Sequence, residues 1–164
     1  MIVAIDGFGA SGKSVFASRL AREFGGHVVA LDDFTRPGTP TWEHERFIDE
    51  VLVPLRAGRP AVYRPWRYDQ RSPGPLVTIP PDGLVIVEGV SALALAVVER
   101  VGRWWDVAFW VDADVALRTA RIAERDGESL RPLWEQQWWP SEQHYFDTES
   151  PADRADFVLR AAVD

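Results

Sequence analysis

A glycine-rich loop near the start of the chain restricts its possible folds more than any other feature. Residues 7–14 read Gly-Phe-Gly-Ala-Ser-Gly-Lys-Ser, which matches the phosphate-binding pattern of Gly, any four residues, Gly, Lys and then Ser or Thr. An apolar run at residues 2–5 precedes the loop, and a helical pattern follows it as far as Gly25 and Gly26. The sequence therefore predicts a strand, a phosphate-binding loop and a helix that starts near Ser11. The apolar face of that helix is expected to consist of Val15, Phe16, Leu20 and Phe24.

Each residue type in this loop has a chemical reason to be there. Glycines allow successive backbone amides to turn inward around a phosphate, and the positive end of the following helix points at the same place. Lys13, the one lysine among 18 basic residues, is expected to reach the terminal phosphates, and Ser14 to bind Mg²⁺. The alternative is a glycine turn beside a surface lysine. The residues predicted to hold the nucleotide are Gly7, Gly9, Ala10, Ser11, Gly12, Lys13, Ser14 and Val15.

The same glycines permit a second interpretation. Gly7, Gly9 and Gly12 also fit the Gly-x-Gly-x-x-Gly pattern of dinucleotide-binding folds. Asp32 lies 20 residues beyond Gly12, where such folds place a carboxylate that binds ribose. A dinucleotide loop needs neither an ammonium nor a hydroxyl at positions 13 and 14. The Lys-Ser pair therefore favours the phosphate-binding interpretation.

Short apolar runs alternate with helical patterns along the chain. Four runs rich in β-branched residues predict buried strands at residues 2–5, 28–31, 84–87 and 107–111, and a weaker fifth run covers residues 157–159. Further helices are predicted at residues 91–101 and 115–125, the second one capped by Asp112 or Asp114. This order indicates an α/β fold in which helices cover both faces of a five-stranded parallel sheet. A length of 164 residues fits a single domain.

Composition excludes several classes of protein. The net charge of −7 argues against a surface for nucleic acid or an anionic membrane, because neutralising phosphates requires clustered Lys and Arg. The absence of cysteine excludes disulfides, thiol catalysis and Cys-ligated metals. No apolar run approaches the length of about 18 residues that a spanning helix needs, and the N-terminus lacks the pattern of a signal peptide. We therefore expect a cytoplasmic protein with a small-molecule substrate and neither nucleic acid nor membrane as a partner, and we leave a homo-oligomer open.

The stretch between the second and third predicted strands differs from the rest of the chain. Nine of the 12 prolines lie between Pro37 and Pro81, and residues 35–83 are too long for a simple crossover. One helix is predicted at residues 42–56, ending before Gly58 and kinked at Pro54. Its inward side chains are expected to be Phe47, Val51, Leu52 and Leu55. Residues 60–83 are predicted as loop with a short hairpin. Long ordered loops often carry function, so we expect the substrate site in this insertion, with Tyr63, Trp66 and Tyr68 as candidate contacts.

Carboxylates follow the predicted strands of the sheet. Asp32 and Asp33 come after the second strand and Glu88 after the third. Ligands of open parallel sheets bind beyond the carboxyl ends of the strands. If the strands that carry Asp32 and Glu88 flank the strand before the glycine loop, both carboxylates point at the terminal phosphate. One can then activate an acceptor hydroxyl while the other holds Mg²⁺. The alternative role for any one of these acids is that of a helix cap.

Three arginines share one face of the helix predicted at residues 115–125. Arg118, Arg121 and Arg125 are spaced i, i+3 and i+7. A solvated helix face is one explanation. The other is a lid at residues 115–140 that brings arginines to a transferring phosphoryl group, because such groups spread negative charge over their oxygens. The lid suits Arg121 and Arg125 best, since Asp126 and Gly127 end the helix directly after them. The aromatic residues that follow are expected to be mostly core or helix-packing residues.

Taken together, these residues resemble the uridine kinase group of P-loop kinases, whose relatives include phosphoribulokinase and pantothenate kinase. The glycine loop matches, and Val87-Glu88-Gly89 matches the family's Glu-Gly after the third strand. Other elements similar to the family's are Leu31-Asp32-Asp33-Phe34, Trp42-Glu43-His44, residues 60–63 followed by Arg71, Arg121 with Arg125-Asp126, and Ala155-Asp156. The chain departs from the family pattern at Thr35, Glu43 and Glu45, and in having Ile122 after Arg121 where the family has paired arginines.

The resemblance implies a P-loop nucleoside triphosphate hydrolase fold with a short Arg-bearing lid. It also implies an ATP-dependent kinase that uses Mg²⁺ and transfers the γ-phosphoryl group to a hydroxyl of a nucleoside. The catalytic residues are then Lys13, Asp32 as general base, Arg121 and Arg125, and the Mg²⁺ ligands are Ser14 and Glu88. The implied substrate-binding residues are Asp32, Phe34, Glu43, His44, Tyr63, Arg71 and Glu88. Three alternatives stay open: a kinase for nicotinamide riboside, pantothenate or a sugar, a noncatalytic nucleotide-binding switch, and an NAD(P)-binding oxidoreductase.

Overall fold

A computed structural model describes residues 1–36, 41–67 and 70–161 of the chain. Its strands are β1 (Ile2–Gly7), β2 (His27–Ala30), β3 (Ala61–Tyr63), β4 (Trp66–Arg67), β5 (Ser72–Pro73), β6 (Val77–Ile79), β7 (Val85–Glu88), β8 (Val107–Asp112) and β9 (Phe157–Arg160). Its α-helices are α1 (Lys13–Phe24), α2 (His44–Phe47), α3 (Val53–Arg56), α4 (Leu95–Val101), α5 (Val115–Asp126), α6 (Arg131–Leu133) and α7 (Trp139–Glu149). Short 3-10 helices cover Leu31–Phe34, Glu128–Leu130 and Pro151–Arg154, and π-helical turns cover Ile48–Leu52 and Trp134–Trp138.

Five parallel strands form the central sheet, in the order β2-β7-β1-β8-β9. All the neighbouring pairs of this sheet run parallel. The predicted five-stranded parallel sheet is therefore confirmed. The condition stated for Asp32 and Glu88, that both of their strands flank the loop strand, is met for Glu88 but not for Asp32, because β7 lies between β1 and β2. Only the strand that ends in Glu88 borders β1 on that side.

Side chains of β1 alternate between two hydrophobic clusters, one on each face of the sheet. Ala4 belongs to the larger cluster, together with residues of the insertion and of α4. Val3 and Ile5 belong to the smaller cluster, under α1. Both faces of the sheet are therefore covered by helices, as the strand and helix order predicts.

Helix α1 buries a different face from the expected one. Phe16 and Leu20 pack on the sheet, as predicted, and are joined there by Ala17. Val15 and Phe24 are 58% and 67% exposed, so their assignment to the buried face is wrong. In the first turn Lys13 is buried at the glycine loop and Phe16 packs on the sheet, which leaves Val15 exposed. Gly25 ends the helix in a left-handed conformation, as expected of a C-terminal stop.

The insertion is built on one distorted helix. Residues 44–56 are helical throughout, and the π turn Ile48–Leu52 precedes Pro54. The amide of Val53 bonds to the carbonyl of Ile48, so the distortion expected at Pro54 takes the form of a wider turn directly before it. Its predicted inward side chains, Phe47, Val51, Leu52 and Leu55, are all buried. Two antiparallel pairs, β3 with β6 and β4 with β5, replace the loop and hairpin predicted downstream, and Tyr68 lies outside the described residues.

The later helices follow the predicted order with different boundaries. Helix α4 begins at Leu95 and not at Ser91, because the amides of Ser91 and Leu93 turn inward to a buried carboxylate described below. Helix α5 matches its prediction, with Asp114 at the capping position but without a side-chain capping bond. Within the described part of the chain, no helix is both long and apolar enough to cross a membrane.

Substitution of Phe47 tests how much the hydrophobic core of the insertion contributes to the stability of the protein. Its ring is fully buried, with ring centroids of Phe34, Trp42 and Trp104 at 5.7, 5.4 and 5.3 Å. We predict that Phe47→Ala lowers the free energy of unfolding by about 3–5 kcal/mol in urea titrations, because it leaves a cavity among packed rings. Val53→Ala, on the same helical segment but 45% exposed, is the control and should change stability by about 0.5 kcal/mol or less. Equal losses in the two variants would contradict the assignment of this core.

Candidate functional site

The glycine loop lies between β1 and α1, at the carboxyl end of the sheet. A Cβ atom at Gly7 would come within 2.2 Å of the carbonyl oxygen of Val111, so only glycine fits beside β8 there. Gly12 enters α1 with φ +107°, in the region that favours glycine. The hydroxyl of Ser11 is buried and has no hydrogen-bond partner among the described residues. A tight loop with inward polar groups at a helix N-terminus suits an anion such as a phosphate.

Lys13 is the cation of the loop. Its side chain is 6% exposed, and Nζ donates a hydrogen bond of 2.8 Å to the carbonyl of Phe8. Burial lowers the pKa of Lys13, while the carboxylates of Glu88, Asp6, Glu142 and Asp32 act in the opposite direction. The negative charge of these carboxylates favours the charged form of the desolvated Lys13 ammonium group.

Ser14 and Glu88, the two predicted Mg²⁺ ligands, contact each other. The Ser14 side chain hydrogen-bonds to the Glu88 carboxylate, which is buried at the end of β7. Burial raises the pKa of Glu88, and Lys13 and Ser14 oppose that rise. In the described part of the chain, no group of three or more His, Cys, Asp or Glu side chains is arranged to hold a metal. A hydroxyl and one carboxylate still suit Mg²⁺, which commonly takes one or two protein ligands and completes its shell with phosphate oxygens and water.

Asp32 and Asp33 face different partners although they are adjacent. Asp33 accepts a hydrogen bond of 3.2 Å from the Tyr63 hydroxyl, within the insertion. Burial raises the pKa of Asp33, and the bond from Tyr63 lowers it in part. Asp32 is exposed and lies within electrostatic reach of Lys13 and of Arg125. Asp32 is therefore the carboxylate of this pair that is open to solvent beside the phosphate-binding loop.

Two of the three arginines of α5 contact the glycine loop. The Arg118 guanidinium lies 4.3 Å from the centroid of the Phe8 ring, and its side chain is buried. Arg121 Nη1 donates to two loop carbonyls, those of Ala10 and Ser11, at 3.2 and 3.0 Å. Arg125 lies over the ring of Trp134 and pairs with Asp126. A solvated helix face does not describe Arg118 or Arg121. The lid assignment and the catalytic roles of Arg121 and Arg125 stay predictions.

The predicted substrate-binding residues of the insertion do not form one open surface. Phe34 is fully buried and Tyr63 is 3% exposed, and their rings pack 4.9 Å apart. A direct contact of either ring with a substrate stays a prediction. Glu43 pairs with Arg36 and Arg46 at 2.9 and 3.1 Å.

His44 and Arg71 are the more open members of the predicted substrate set. The His44 ring meets the edge of Trp42 at 4.2 Å, and its Nε2 is buried with no hydrogen-bond partner within the described ranges. Burial lowers the pKa of His44, which favours the neutral imidazole. Arg71 is exposed and adopts a left-handed conformation, with φ +50°. Contacts of His44 and Arg71 with a substrate stay predictions as well.

Two features of the site were missed by sequence reasoning. The first is Asp6, a fully buried carboxylate that accepts hydrogen bonds from the amides of Gly7, Ser91 and Leu93 and from the Tyr145 hydroxyl. Burial raises its pKa, and the bonds from Tyr145, Leu93 and Gly7 oppose the rise. An acid inside the apolar run of β1 was a visible signal, because an unpaired charge is rarely buried.

The second missed feature is a row of side chains on α7 that faces the glycine loop. Glu142 Oε2 accepts the Gly9 amide at 3.0 Å, the Tyr145 hydroxyl donates to Asp6 at 2.6 Å, and the Phe146 ring packs 5.2 Å from that of Phe8. These positions, with Glu149, are spaced i, i+3, i+4 and i+7, which places them on one helix face. The spacing could have been read from the sequence, but the sequence does not show that this face of α7 contacts the glycine loop.

Comparisons with known proteins agree with this architecture. No family model matches the chain, and no curated protein matches it in sequence. A structure from Bacillus stearothermophilus assigned as a uridine kinase superposes with a TM-score of 0.68 at 18% identity, covering 97% of this chain and 88% of that one. A structure from Silicibacter sp. TM1040 assigned as a fructose transport system kinase gives 0.74 at 19% identity, covering 97% and 89%.

A more distant likeness points to the same fold. Shikimate kinase from Acinetobacter baumannii, solved in complex with shikimate, gives a TM-score of 0.54 at 17% identity and covers 99% of this chain and 84% of that chain. At identities of 17 to 19%, the shared property is the fold. The chain has the P-loop kinase fold, and its likeness to the uridine kinase type extends over nearly its whole length.

Proposed function

We propose that this chain is an ATP-dependent kinase that transfers a γ-phosphoryl group to a hydroxyl of a small molecule, most readily a nucleoside. The observation that carries the proposal is the convergence of three unlike groups on one glycine loop. These groups are the buried Lys13 ammonium, the contacting Ser14 and Glu88 oxygens, and the exposed Asp32 carboxylate. Phosphoryl transfer needs a cation for the phosphates, oxygen ligands for Mg²⁺ and a base for the acceptor.

The chemistry assigned to each residue follows from its position. Bound Mg-ATP supplies the phosphoryl group and a metal that neutralises charge on the phosphates, with Ser14 and Glu88 as protein ligands of the metal. Lys13 and the loop amides hold the phosphate oxygens. Asp32 accepts the proton of the attacking hydroxyl, which then forms the new bond to phosphorus as the bond to the leaving ADP oxygen breaks. Arg121 and Arg125 balance the charge that develops on the transferred group.

The acceptor is assigned to the insertion, which borders Asp32. Two of its side chains are available to an acceptor. The His44 Nε2 atom has no hydrogen-bond partner among the described residues, and Arg71 is exposed. The nucleoside preference rests on the resemblance of Trp42-Glu43-His44 to the sugar-binding element of uridine kinases. A sugar acceptor is the second candidate, because the TM-score to the fructose transport system kinase, 0.74, exceeds the 0.68 to the uridine kinase.

Release of ADP from Mg-ATP tests the proposed reaction. The acceptor panel consists of uridine, cytidine, nicotinamide riboside, pantothenate and simple sugars, fructose included. We predict acceptor-dependent ADP release by the wild type and a loss of several orders of magnitude in Lys13→Ala, because the chain has no second lysine to hold the phosphates. Arg22→Ala removes one positive charge from an exposed position in the last turn of α1, at the end of the helix away from the loop, and should leave the rate unchanged. Mg-ATP binding without turnover on any acceptor would instead favour a nucleotide-binding switch, and protection against heat by NAD(P) alone would favour the oxidoreductase.

The base assignment is tested by a matched pair of neighbouring variants. We predict that Asp32→Asn retains Mg-ATP binding in calorimetry but lowers kcat by about 10²–10⁴-fold, because an amide cannot accept the hydroxyl proton. Asp33→Asn makes the same chemical change on the carboxylate that bonds to Tyr63 and should lower kcat far less. Normal turnover by Asp32→Asn would show that the base lies elsewhere, and a larger loss in Asp33→Asn would move the role to Asp33.

The metal assignment is tested by removing and restoring Mg²⁺. EDTA should abolish ADP release, and added Mg²⁺ should restore it. We predict that Glu88→Gln raises the Mg²⁺ concentration needed for half-maximal rate by about tenfold or more, because a neutral amide is a poorer ligand than a carboxylate. Glu23→Gln, a change of the same kind at an exposed position on α1, serves as the control. An unchanged Mg²⁺ requirement in Glu88→Gln would remove Glu88 from the metal site.

A further inference from the structure

The tip of the glycine loop is held by a residue that neither the loop motif nor the resemblance assigns. We propose that Glu142 is a positioning residue for phosphate binding: its carboxylate fixes the Gly9 amide and thereby holds the loop in the shape that receives a triphosphate. The positioning can be observed in the ligand-free protein, whereas its consequence for nucleotide affinity rests on the function proposed above.

The contact between α7 and the loop tip is close. Glu142 Oε2 accepts the Gly9 amide at 3.0 Å, and the Glu142 side chain is buried. A Cβ atom at Gly9 would lie 2.6 Å from Glu142 Oε1 and 2.8 Å from the Trp134 ring. Gly9 is therefore enclosed by α7 and by the π turn that leads into it. Glycine is needed at this position because of that enclosure and not because of a left-handed conformation.

The Glu142 carboxylate also links three separate elements by charge. Its Oε2 lies 3.8 Å from Nη1 of Arg118 on α5, and it acts electrostatically on Lys13 at the start of α1. The Arg118 guanidinium in turn covers the Phe8 ring at 4.3 Å. Desolvation raises the pKa of Glu142, and the Gly9 amide, Lys13 and Arg118 each oppose that rise. These three groups surround the carboxylate and hold it in place.

A phosphate-binding loop has a physical need for such a residue. Its inward amides carry like partial charges, so without an anion they repel one another and the loop gains by opening. The Glu142 carboxylate on α7 accepts the Gly9 amide and so satisfies one loop donor in the ligand-free protein. Ala10, the next residue, keeps its left-handed conformation with φ +59°. A loop shaped in advance binds its ligand more tightly, because less ordering is left to be done on binding.

The surrounding contacts allow Glu142 to be changed without unfolding α7. The helix remains attached through the hydroxyl of Tyr145 on Asp6, the ring of Phe146 on Phe8, and Glu149 on the Leu95 amide. Glu142→Ala removes the carboxylate, whereas Glu142→Gln keeps an oxygen that can accept from the Gly9 amide. Glu135→Ala is the matched control, because Glu135 is an exposed glutamate of the preceding π turn.

The first measurement uses ligand-free protein and two-dimensional amide NMR. We expect the wild-type Gly9 amide to resonate downfield and to exchange slowly with solvent, because it bonds to a carboxylate. In Glu142→Ala the Gly9 and Ala10 signals should move and their exchange should accelerate by about tenfold or more. Glu142→Gln should restore most of the protection, and Glu135→Ala should leave both signals in place. Unchanged Gly9 and Ala10 signals in Glu142→Ala would overturn the positioning role.

The second measurement is calorimetric binding of Mg-ATP to the same proteins. We expect the Kd to rise by about tenfold in Glu142→Ala and to recover in Glu142→Gln, with the melting temperature of both close to that of wild type. Wild-type affinity in Glu142→Ala would overturn the link to phosphate binding. Tighter binding in both variants would also overturn it, since the carboxylate would then repel the nucleotide. Failure of the wild type to bind Mg-ATP would defeat the proposed function, while the NMR result would still decide whether Glu142 shapes the loop.

Discussion

The buried carboxylate of Asp6 is the interaction on which the phosphate-binding end of this molecule depends. A fully desolvated acid is unfavourable unless its oxygens accept hydrogen bonds, and Asp6 accepts four, from Gly7, Ser91, Leu93 and Tyr145. These donors come from the loop, from the turn after β7 and from α7. Satisfying one acid therefore fixes three segments that are far apart in the sequence. It also explains why α4 starts later than its apolar pattern predicts, because the amides before it are committed to Asp6.

The chain is negatively charged overall, but several of its positive side chains lie close to the glycine loop. The net charge of −7 disfavours anions at long range, yet the loop is approached by Lys13 and by the arginines of α5. Each of these cations has a neutral partner. Lys13 donates to a carbonyl, Arg121 donates to two carbonyls, and Arg118 covers an aromatic ring. Carboxylates also act on Lys13, and Glu142 lies 3.8 Å from Arg118, so part of this positive charge is balanced by acids of the same site.

The sequence predicted correctly those elements that depend on interactions between residues close together in the chain. The glycine loop, the five strands and α5 depend on short-range spacing, and each appears in the structure near its predicted position. The order of the strands does not depend on spacing, and the sequence left open whether β2 borders β1, which it does not. Periodicity also failed to place Val15 and Phe24, which lie in the first and last turns of α1 and are exposed, whereas the middle of the helix packs on the sheet.

The site was predictable to the extent that its residues adjoin the loop or end a strand. Ser14 and Glu88 meet because parallel neighbours end at the same edge of a sheet. Glu142 is 133 positions from Gly9, and no pattern within either segment indicates that the two meet. Likewise, the residues around the acceptor are named by the resemblance, but their burial is decided by the packing of Phe34 and Tyr63 on the insertion core.

The two halves of the site differ in how they are supported. The phosphate-binding half is supported by β1, β7 and β8. The register of β1 and β8 places Gly7 opposite Val111, which leaves no room for a side chain at position 7. The residues predicted to bind the acceptor lie on and beside the insertion. There the Tyr63 hydroxyl donates to Asp33, and Glu43 forms ion pairs with Arg36 and Arg46. Because those groups are occupied by one another, the predicted contacts with free hydrogen-bonding groups in the described part of the chain are the Asp32 carboxylate, the His44 imidazole and the Arg71 guanidinium. They offer one anion, one neutral ring nitrogen and one cation to the polar acceptor that we propose.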